Sequence, residues 1–408
     1  MHRSVFIVLV FLSISFAGCD DDDSSNNSNV CDPVCDSISH CENGQCLLND
    51  GACHSTSDCT EGVCNTALNQ CDTEVECFEV SDCPQSAVPI YCSEINTCEE
   101  VLPDHSNPII ETNDFFAGSN RNDPHVLVDN GTYVMYASAS ANFDENVKIY
   151  RLVSEDLINW ELSPEYAVFE KNSDPMAWDR KSVETPAVVK FDGLYHLFYT
   201  SYPENYADAT SFQIGHATSE DGIVWTRDTN FELKPTDPQG EVNLDFNQFV
   251  VGEPAPVVVG SNLHLYFTAV GANASVGTTL QVIGLTVFNG DTWTGPVSVL
   301  TPDQDLWPRE EYVGYSTPNA LYSNNQVHLY FDVVKADPWT QVAISHAVSD
   351  DGFSSWTTDS EPIFVREDFT WTQEEIRSPS VIELQSTRVI FFAGHTDLNL
   401  AIGVELLP

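Results

Sequence analysis

The sequence contains few basic residues and no cysteine after Cys98. Only 15 of its 408 residues are lysine or arginine, against 62 aspartates and glutamates, which gives a formal net charge of -47. Nucleic acids and anionic membrane surfaces would repel such a chain, so neither is expected as a partner. The same charge suggests a salty habitat, in which dissolved ions screen the self-repulsion of the protein.

A long apolar run is also missing. The apolar stretch at residues 5–16 has 12 positions, whereas a helix that spans a bilayer needs about 20. The stretch follows a basic start and precedes small residues and a cysteine, which is the layout of an export signal. Its end, FAGC at 16–19, resembles the bacterial lipobox, with Phe16 in place of the usual leucine. We therefore predict a lipoprotein signal peptide at 1–18 and a lipid on Cys19; a soluble secreted protein with an incidental Cys19 is the alternative.

The residues that follow are too polar to fold. Residues 20–30 read DDDDSSNNSNV and cannot bury a core. Together with Cys19 they form the predicted lipidated tether, 19–30, which as a flexible coil would hold the next residues about 20 Å from the bilayer. We expect a monomer in the cell envelope that faces the periplasm or the cell exterior and contacts the membrane through its lipid alone.

The 12 cysteines after Cys19 fall into three sets of four. The sets are Cys31, Cys35, Cys41, Cys46; Cys53, Cys59, Cys64, Cys71; and Cys77, Cys83, Cys92, Cys98. Cysteine at this density, with little apolar content, predicts a disulfide-rich module at 31–98 in an oxidising compartment. Zinc is the alternative, but the segment has no Cys-x-x-Cys pair, so no metal is predicted.

The rest of the chain is built on a repeat that begins at a proline. Each copy has an alternating run, a turn such as Asn130-Gly131, and a second run rich in tyrosine, phenylalanine and leucine, which predicts a hairpin. The prolines are 62, 68, 64 and 61 residues apart: Pro124, Pro186, Pro254, Pro318 and Pro379. A third run and a short outer run follow in each of the first four copies. Four antiparallel strands repeated five times predict an all-β, five-bladed β-propeller at 105–408.

The fifth copy stops after its third strand, and its missing strand is found elsewhere. Residues 107–114, NPIIETND, parallel residues 361–368, EPIFVRED, in the fourth copy. We therefore predict that 107–114 closes the ring by pairing with the last blade, which removes two exposed sheet edges.

Charged and aromatic residues collect where the first strand of each blade begins. In a propeller blade this point lies on the same face as the loops between the second and third strands, which are long and polar here, and functional residues are often found on such loops. The acids are Asp123, Glu184 and Glu253; the arginines are Arg121, Arg180, Arg309 and Arg377; the tryptophans are Trp178, Trp307 and Trp371. This set predicts a carbohydrate site, because carboxylates and guanidinium groups bond hydroxyls and aromatic rings cover the C–H face of a sugar. The alternative is that the arginines pair with neighbouring acids and the tryptophans wedge between blades.

Residues that recur in frame are expected to pack, since packing needs are the same in every blade. They are Trp160, Trp225, Trp293 and Trp356, together with His196, His264 and His328. His395 is the candidate for contact with a channel-bound calcium ion, but no cluster of ligands surrounds it in the sequence. No cofactor is therefore predicted.

Three stretches carry a resemblance to a known group of enzymes. The Asp-Pro that opens the first blade, the strands YVMYAS and HLFYTS, and IGHATSEDGIVWTRD resemble the arabinanase, invertase and levansucrase group of five-bladed propellers, including glycoside hydrolase families 43 and 32. The resemblance covers residues 105–408. It implies that Asp123 is the base or nucleophile and that Glu253 fills the place of a second acid, which is an aspartate in the family.

The family's proton donor is absent from its usual place, because the fourth blade reads YSTP where a Glu-x-Pro frame is expected. Glu184 stands in the only Glu-x-Pro of the chain and is a candidate for a relocated donor; Glu310 and Glu311 are others. Glycoside cleavage needs an acid and a second carboxylate about 5 to 10 Å apart. The prediction is a surface-anchored glycosidase acting on a plant, algal or microbial polysaccharide or oligosaccharide. A non-catalytic carbohydrate-binding propeller and a structural surface protein without a small ligand are the alternatives.

Overall fold

The computed structural model describes residues 39–42, 45–48, 63–65, 70–72, 90–92, 98–100, 107–111, 120–140, 146–203, 212–239, 245–273, 278–384, 387–396 and 399–407. Their regular structure is β-strand apart from a 3-10 turn at Arg366–Asp368, which confirms the all-β class. No helix among these residues is long and apolar enough to cross a membrane. The predicted signal peptide and tether lie outside the described residues.

The chain divides into two compact units. The first comprises Met1–Asp82 and Glu94–Thr97, and the second comprises Cys83–Ser93 and Cys98–Pro408.

Three short hairpins lie in the cysteine-rich segment. Their antiparallel pairs are β1 (Ser39–Glu42) with β2 (Gln45–Leu48), β3 (Val63–Asn65) with β4 (Gln70–Asp72), and β5 (Ile90–Cys92) with β6 (Cys98–Glu100). Each hairpin places the third and fourth cysteines of one set opposite each other in register: Cys41 and Cys46, Cys64 and Cys71, Cys92 and Cys98. The fourfold cysteine pattern therefore corresponds to a backbone hairpin that recurs three times.

Twenty further strands follow in the second unit. They are β7 (Asn120–Asp129), β8 (Thr132–Ser140), β9 (Lys148–Ser154), β10 (Glu161–Leu162), β11 (Ser182–Phe191), β12 (Leu194–Tyr202), β13 (Gln213–Ser219), β14 (Thr226–Arg227), β15 (Val250–Val259), β16 (Asn262–Asn273), β17 (Thr278–Phe288), β18 (Val297–Leu300), β19 (Tyr312–Ser323), β20 (Gln326–Ala336), β21 (Trp339–Ser349), β22 (Thr357–Thr358), β23 (Phe364–Val365), β24 (Glu375–Leu384), β25 (Thr387–Thr396) and β26 (Asn399–Leu407).

These strands form antiparallel meanders in chain order, which we number as repeats one to five. Repeat one is β7–β10, repeat two β11–β14, repeat three β15–β18, repeat four β19–β23 and repeat five β24–β26. Repeats one and two are separate four-stranded sheets, whereas a single parallel bridge between Gln281 and Gly314 joins the sheets of repeats three and four. Sheets of four antiparallel strands were predicted, and they are confirmed.

Tight turns fix the register of the first hairpin in repeats one and two. Asn130 and Gly131 have φ of 52° and 85°, and Asp192 and Gly193 have φ of 48° and 80°. Two consecutive residues with positive φ match the right-handed twist of the flanking strands. The hairpins predicted from these dipeptides are therefore confirmed.

The first strands of the repeats lie side by side in a closed order. Each of β7, β11, β15, β19 and β24 contacts the next, and β24 contacts β7. Polar side chains bond some of these neighbours together. The amide of Val126 donates to Ser380 Oγ (2.9 Å), the amide of Val381 donates to Asn319 Oδ1 (2.9 Å), and His125 Nε2 bonds the carbonyl oxygen of Val188 (2.8 Å).

The predicted closing segment pairs with the last repeat at Ile109 and Ile110; its residues 112–114 lie outside the described residues. Ile110 forms an antiparallel bridge with Ile402 of β26, in which the amide of Ile402 donates to the carbonyl of Ile110 at 3.0 Å. The side chain of Ile110 is 1% exposed and packs with Phe391 and residues of repeat one. Burial of this isoleucine between the first and last repeats removes apolar surface from water and so stabilises the pairing of the segment with β26.

The in-frame tryptophans pack as predicted. Each contacts an aromatic ring on the second strand of the preceding repeat, edge to face, with centroids 5.8 to 6.0 Å apart and planes inclined by 75° to 86°. The pairs are Trp160 with Phe391, Trp225 with Tyr136, Trp293 with Phe198, and Trp356 with Tyr266. Because Trp160 of repeat one contacts repeat five, this contact also follows the closed order of the first strands.

Candidate active site

Every first strand bends at the residue directly before its proline. A β-bulge interrupts the pairing there in all five repeats, and the residue has a positive φ: Asp123 (52°), Thr185 (48°), Glu253 (54°), Thr317 (43°) and Ser378 (55°). Such a backbone conformation costs about 1 to 3 kcal/mol for a residue other than glycine. A bulge changes the direction of side chains next to functional sites. Here all five bulges stand at the same position of the repeat, directly before the proline.

The amides of four of these residues are held by the preceding repeat. Each donates to a side chain on the second strand of that repeat, at 2.7 to 2.9 Å: Thr185 to Ser138, Glu253 to Thr200, Thr317 to Thr268, and Ser378 to Asp332. A hydroxyl or carboxyl oxygen thus occupies this position of the second strand in repeats one to four. In repeat five the corresponding residue, which pairs with Arg377, is Ala393.

A pocket of about 410 Å³ lies beside these bulges, where the first strands begin. The three predicted acids line it: Asp123, Glu184 and Glu253. Arg377 lines it too, as do Glu375 and His395 of repeat five. The ring of prolines lies below, around a cavity of only about 20 Å³. This much smaller cavity shares Asp123, Thr185 and Glu253 with the pocket.

Asp123 is the most firmly held acid at the base of the pocket. Its side chain is 6% exposed, and its Oδ1 accepts a hydrogen bond from Ser378 Oγ at 2.8 Å. The Nη2 atom of Arg377 lies 3.7 Å from the same oxygen. These two contacts from repeat five fix one carboxylate oxygen of a residue in repeat one.

Arg377 also contacts a second carboxylate, that of Glu375. Its Nη1 atom lies 3.3 Å from Glu375 Oε2, and His395 Nε2 lies 3.1 Å from the same oxygen. Burial opposes ionisation of Glu375, but the charge of Arg377 and the hydrogen bond from His395 lower its pKa to about 2. Glu375 is therefore a carboxylate throughout the neutral range.

Sequence reasoning did not select Glu375, although a signal for it exists. It stands two residues before Arg377 on the same strand, so both side chains lie on one face of the sheet. Its partner across the hairpin is His395, which becomes apparent only when the register of β24 and β25 is known. His395 Nδ1 also lies 3.2 Å from Glu374 Oε2. In the part of the chain that the structure describes, no group of three or more histidine, cysteine, aspartate or glutamate side chains is arranged to hold a metal ion.

Glu253 links repeats three and four. Its Oε2 accepts a hydrogen bond from the amide of Thr317 at 2.9 Å. Glu184 lines the pocket two residues before the proline of repeat two and pairs in register with Thr200. Glu253 is thus the bulge residue of repeat three, directly before its proline, whereas Glu184 stands one residue before the bulge residue of repeat two.

Asp332 is a buried acid that sequence reasoning missed. It is fully buried, and burial raises its pKa well above the usual value despite the opposing charge of Arg377. Its two carboxyl oxygens lie 2.9 and 3.2 Å from the amide nitrogen of Ser378, the residue whose hydroxyl bonds Asp123. Asp332 therefore supports Asp123 through Ser378.

The three predicted aromatic platforms lie elsewhere. Trp178 stacks on Tyr199, and Trp371 stacks on Phe392, with planes inclined by 9° and 13°. Trp307 packs edge-on against Tyr312. None of these tryptophans lines the described pocket. The three rings therefore pack against residues of the sheets, and their contact with a sugar stays a prediction.

Two of the other predicted arginines also lie away from the pocket lining. Arg180 donates from Nη1 to the carbonyl of Ala177 at 3.0 Å, and Arg309 is not among the lining residues. The alternative donors Glu310 and Glu311 are exposed and do not line the described pocket either. The side chain of Arg121 lies outside the described residues.

The fold is similar to that of several solved glycoside hydrolases. A thermostable family-43 glycoside hydrolase is 14% identical, with a TM-score of 0.53 over 72% of this chain and 92% of that one. An endo-arabinase from Bacteroides thetaiotaomicron is 17% identical, with a TM-score of 0.51 over 75% and 96%. An alpha-L-arabinofuranosidase from Lactobacillus brevis is 13% identical, with a TM-score of 0.50 over 72% and 92%.

Sequence comparison adds nothing to this similarity. No family model matches the chain, and no curated protein matches it. At identities of 13% to 17% the structural similarity establishes the fold, which is β-propeller-like and of the kind that the sequence resemblance implied.

Proposed function

We propose that the chain is a glycoside hydrolase acting on a plant, algal or microbial polysaccharide or oligosaccharide. One observation carries the proposal: four carboxyl groups, of Asp123, Glu184, Glu253 and Glu375, line a single pocket in which Arg377 contacts two of them. The solved enzymes with a similar fold, which include an endo-arabinase and an arabinofuranosidase, support the same class of substrate.

The proposed roles are those that the family resemblance implies, and the contacts of Asp123 support the first of them. Asp123 is proposed as the base or nucleophile, because Ser378 and Arg377 fix one of its oxygens and so orient the other. Glu184 is proposed as the relocated proton donor, and Glu253 as the third acid at the base of the pocket. Hydrolysis then follows the two-carboxyl scheme, in which one group protonates the leaving oxygen and the other attacks the sugar or activates water.

A non-catalytic carbohydrate-binding protein is the second candidate, and repeat four favours it. Thr317 stands directly before the proline there, and the lining residues that repeat four contributes are Trp339 and Gln341. Neither of these two side chains can donate a proton to a leaving oxygen. A pocket of this composition can still bind sugar hydroxyls.

Binding and turnover measured on two proteins separate the candidates. Wild type and Asp123→Asn are incubated with arabinosides, xylosides and fructosides, and binding is followed by calorimetry. Hydrolysis by wild type that Asp123→Asn loses, with binding retained, supports the enzyme. Binding without turnover in both proteins supports the second candidate, and absence of both binding and turnover contradicts both. Glu310→Gln, at an exposed position away from the described pocket, is the matched control.

The architecture and the anchor are proposed in finer detail. We propose that the five repeats are the blades of a five-bladed propeller at 105–408, an arrangement supported by the closed order of the first strands. The cysteine-rich segment, 31–98, is proposed as a disulfide-linked module. A lipid on Cys19 would anchor the protein in the cell envelope after removal of residues 1–18. Fatty-acid labelling that persists in Cys19→Ala would contradict the anchor.

A further inference from the structure

One tryptophan differs from the other seven in its environment. Trp339 is 53% exposed, and it is the only tryptophan among the large exposed hydrophobic residues that the structure describes. The other seven pack within or between the sheets. A ligand or partner that covers an exposed indole gains hydrophobic free energy.

Trp339 lies at the rim of the pocket. It is the first residue of β21, pairs with Ala336 at the tip of the hairpin, and lines the pocket together with Gln341 two residues on. Alternate residues of a strand lie on one face, so both side chains belong to the same wall. This wall, from repeat four, carries no charge, whereas the pocket residues of repeats one and five include Asp123, Glu375 and Arg377.

The hairpin tip is fixed beside the charged wall. The amide of Ala336 donates to the carbonyl of Glu311 at 2.7 Å, and Thr340 Oγ1 donates to the carbonyl of Glu374 at 3.4 Å. Glu374 is the neighbour of Glu375 in the sequence. Residues on both sides of Trp339 are thus bonded to Glu311 and Glu374, so only the rotation of the indole itself remains to be ordered when a ligand binds, which lowers the entropic cost of binding.

We propose that Trp339 is the platform of an outer sugar subsite, on which one ring of a neutral oligosaccharide stacks while the next ring occupies the base of the pocket at Asp123 and Arg377. The indole face accepts the apolar C–H side of a sugar, and Gln341 is placed to bond a hydroxyl. This inference rests on the proposed carbohydrate function and extends it to a substrate of at least two sugar units.

The charge of the pocket limits the ligand to a neutral chain. Four carboxyl groups line the described pocket, and Arg377 is the single arginine or lysine among its lining residues. Two of the four, Asp123 and Glu375, already contact that arginine. A chain of uronic acids would bring further negative charge to this wall and to a protein of net charge -47, so it would be repelled.

Two substitutions at Trp339 and one elsewhere test the platform. Trp339→Ala removes the ring, Trp339→Phe keeps a smaller ring, and Phe353→Ala removes an equally exposed ring (53%) that does not line the described pocket. Calorimetry is performed with neutral arabino-, xylo- and fructo-oligosaccharides of two to six units, with the matching monosaccharides, and with an oligouronate of equal length. Thermal unfolding of each variant verifies that it is folded.

The expected result is a selective loss of affinity for oligosaccharides. Trp339→Ala should bind the preferred oligosaccharide at least tenfold more weakly than wild type, with the monosaccharide changed by less than twofold. Trp339→Phe should fall between the two, and Phe353→Ala should match wild type. The oligouronate should bind wild type at least tenfold more weakly than the neutral chain.

The outcomes that overturn the inference are distinct from failure of hydrolysis. Binding or turnover by Trp339→Ala equal to wild type overturns the platform even if the protein is an active enzyme. Wild type that binds no oligosaccharide overturns it as well, and equal binding of the oligouronate overturns the neutral-chain assignment. Trp339-dependent binding without any turnover supports the platform and contradicts only the hydrolase.

Discussion

Side chains recur from one repeat to another in one region of the molecule and vary between repeats in another. Away from the pocket, repeat two carries a relay in which His196 Nδ1 lies 3.0 Å from His216 Nε2 and His216 Nδ1 lies 3.0 Å from Asp228 Oδ2. Repeat four carries the same relay in His328, His346 and Asp359, at 3.0 and 2.9 Å. At the base of the pocket, by contrast, the same bulge carries four residue types in five repeats: Asp123, Glu253, Ser378, and threonine in repeats two and four.

This contrast distinguishes residues that pack the fold from residues that serve the pocket. The stacked histidine pairs have centroids 5.1 and 5.2 Å apart and planes inclined by 14° and 15°, so the two relays meet the same structural need twice. The bulge positions share a backbone geometry, but only two of the five, both threonine, share a residue type. Features that recur are therefore assigned to stability, and features that differ between repeats are assigned to the function of the pocket.

The relays themselves differ only at one end. His196 Nε2 faces the carbonyl oxygen of Phe191 at 3.1 Å, whereas His328 Nε2 faces Arg388 Nη2 at 3.2 Å. Two neutral imidazoles carry two N–H groups. In repeat four Arg388 supplies the third proton, so all three contacts are hydrogen bonds when both rings are neutral. In repeat two both end groups only accept, and all three contacts need one additional proton.

The largest effect is expected in the pocket, at Glu184. Glu184→Gln should lower hydrolysis of unactivated oligosaccharides by about 10²- to 10⁴-fold, since the amide cannot protonate a leaving oxygen. Aryl glycosides with good leaving groups need no such proton and should be affected much less. Rates on both substrate types, with Glu253→Gln as the parallel variant, identify the donor. Equal losses on both substrates would assign Glu184 another role.

Substitution of Asp332 should affect both stability and rate, because this residue is buried and accepts a hydrogen bond from the amide of Ser378. Asp332→Ala leaves the buried amide of Ser378 without its acceptor, which should cost about 1 to 3 kcal/mol of unfolding free energy. Because Ser378 holds Asp123, we expect a fall in kcat of about tenfold. Asp332→Thr introduces the residue that Thr200 and Thr268 provide in repeats two and three, and it should recover most of both losses. Chemical denaturation and kcat measure the two effects, and an unchanged kcat in Asp332→Ala would remove its positioning role.

The relay should affect stability alone. His216→Asn breaks the contacts to His196 and Asp228 and should lower the unfolding free energy by about 1 to 3 kcal/mol, with turnover within twofold of wild type. His346→Asn is the matched variant in repeat four. A loss of turnover in either variant that exceeds its loss of folded protein would contradict the assignment of repeated features to packing.

Acid should weaken the fold over a defined range of pH. Burial is the largest cause that lowers the pKa of His125, His216 and His328, in each case to about 4. The unfolded chain therefore binds more protons than the folded chain between about pH 6.5 and 4, and stability is lost as pH falls through that range, by at most about 1.4 kcal/mol per pH unit for each of His125 and His216 and by less for His328, which solvent screens more. Asp332 acts in the opposite sense, because its pKa is raised, and it subtracts from the slope that these histidines give. Denaturation at several pH values should show a shallower slope in His216→Asn than in wild type.

Some of these residues could be predicted from the sequence, and others could not. The hairpins, the in-frame tryptophans and the acids at the prolines follow from local patterns that repeat. Glu375 becomes visible only through its register with His395, and Asp332 reads as part of an apolar core strand. Trp371 precedes a first strand, as a pocket residue would, but its ring stacks on Phe392, because proximity in sequence does not determine the direction of a side chain.

A crystal structure of Asp123→Asn with a neutral oligosaccharide tests the central claim most directly. The variant retains the shape of the pocket and should trap an uncleaved chain. We predict one ring on the indole of Trp339, the next ring beside position 123 and Arg377, and the bridging oxygen within hydrogen-bonding reach of Glu184. An oligosaccharide bound outside this pocket, or one whose bridging oxygen lies beyond reach of every carboxyl group in it, would contradict the account.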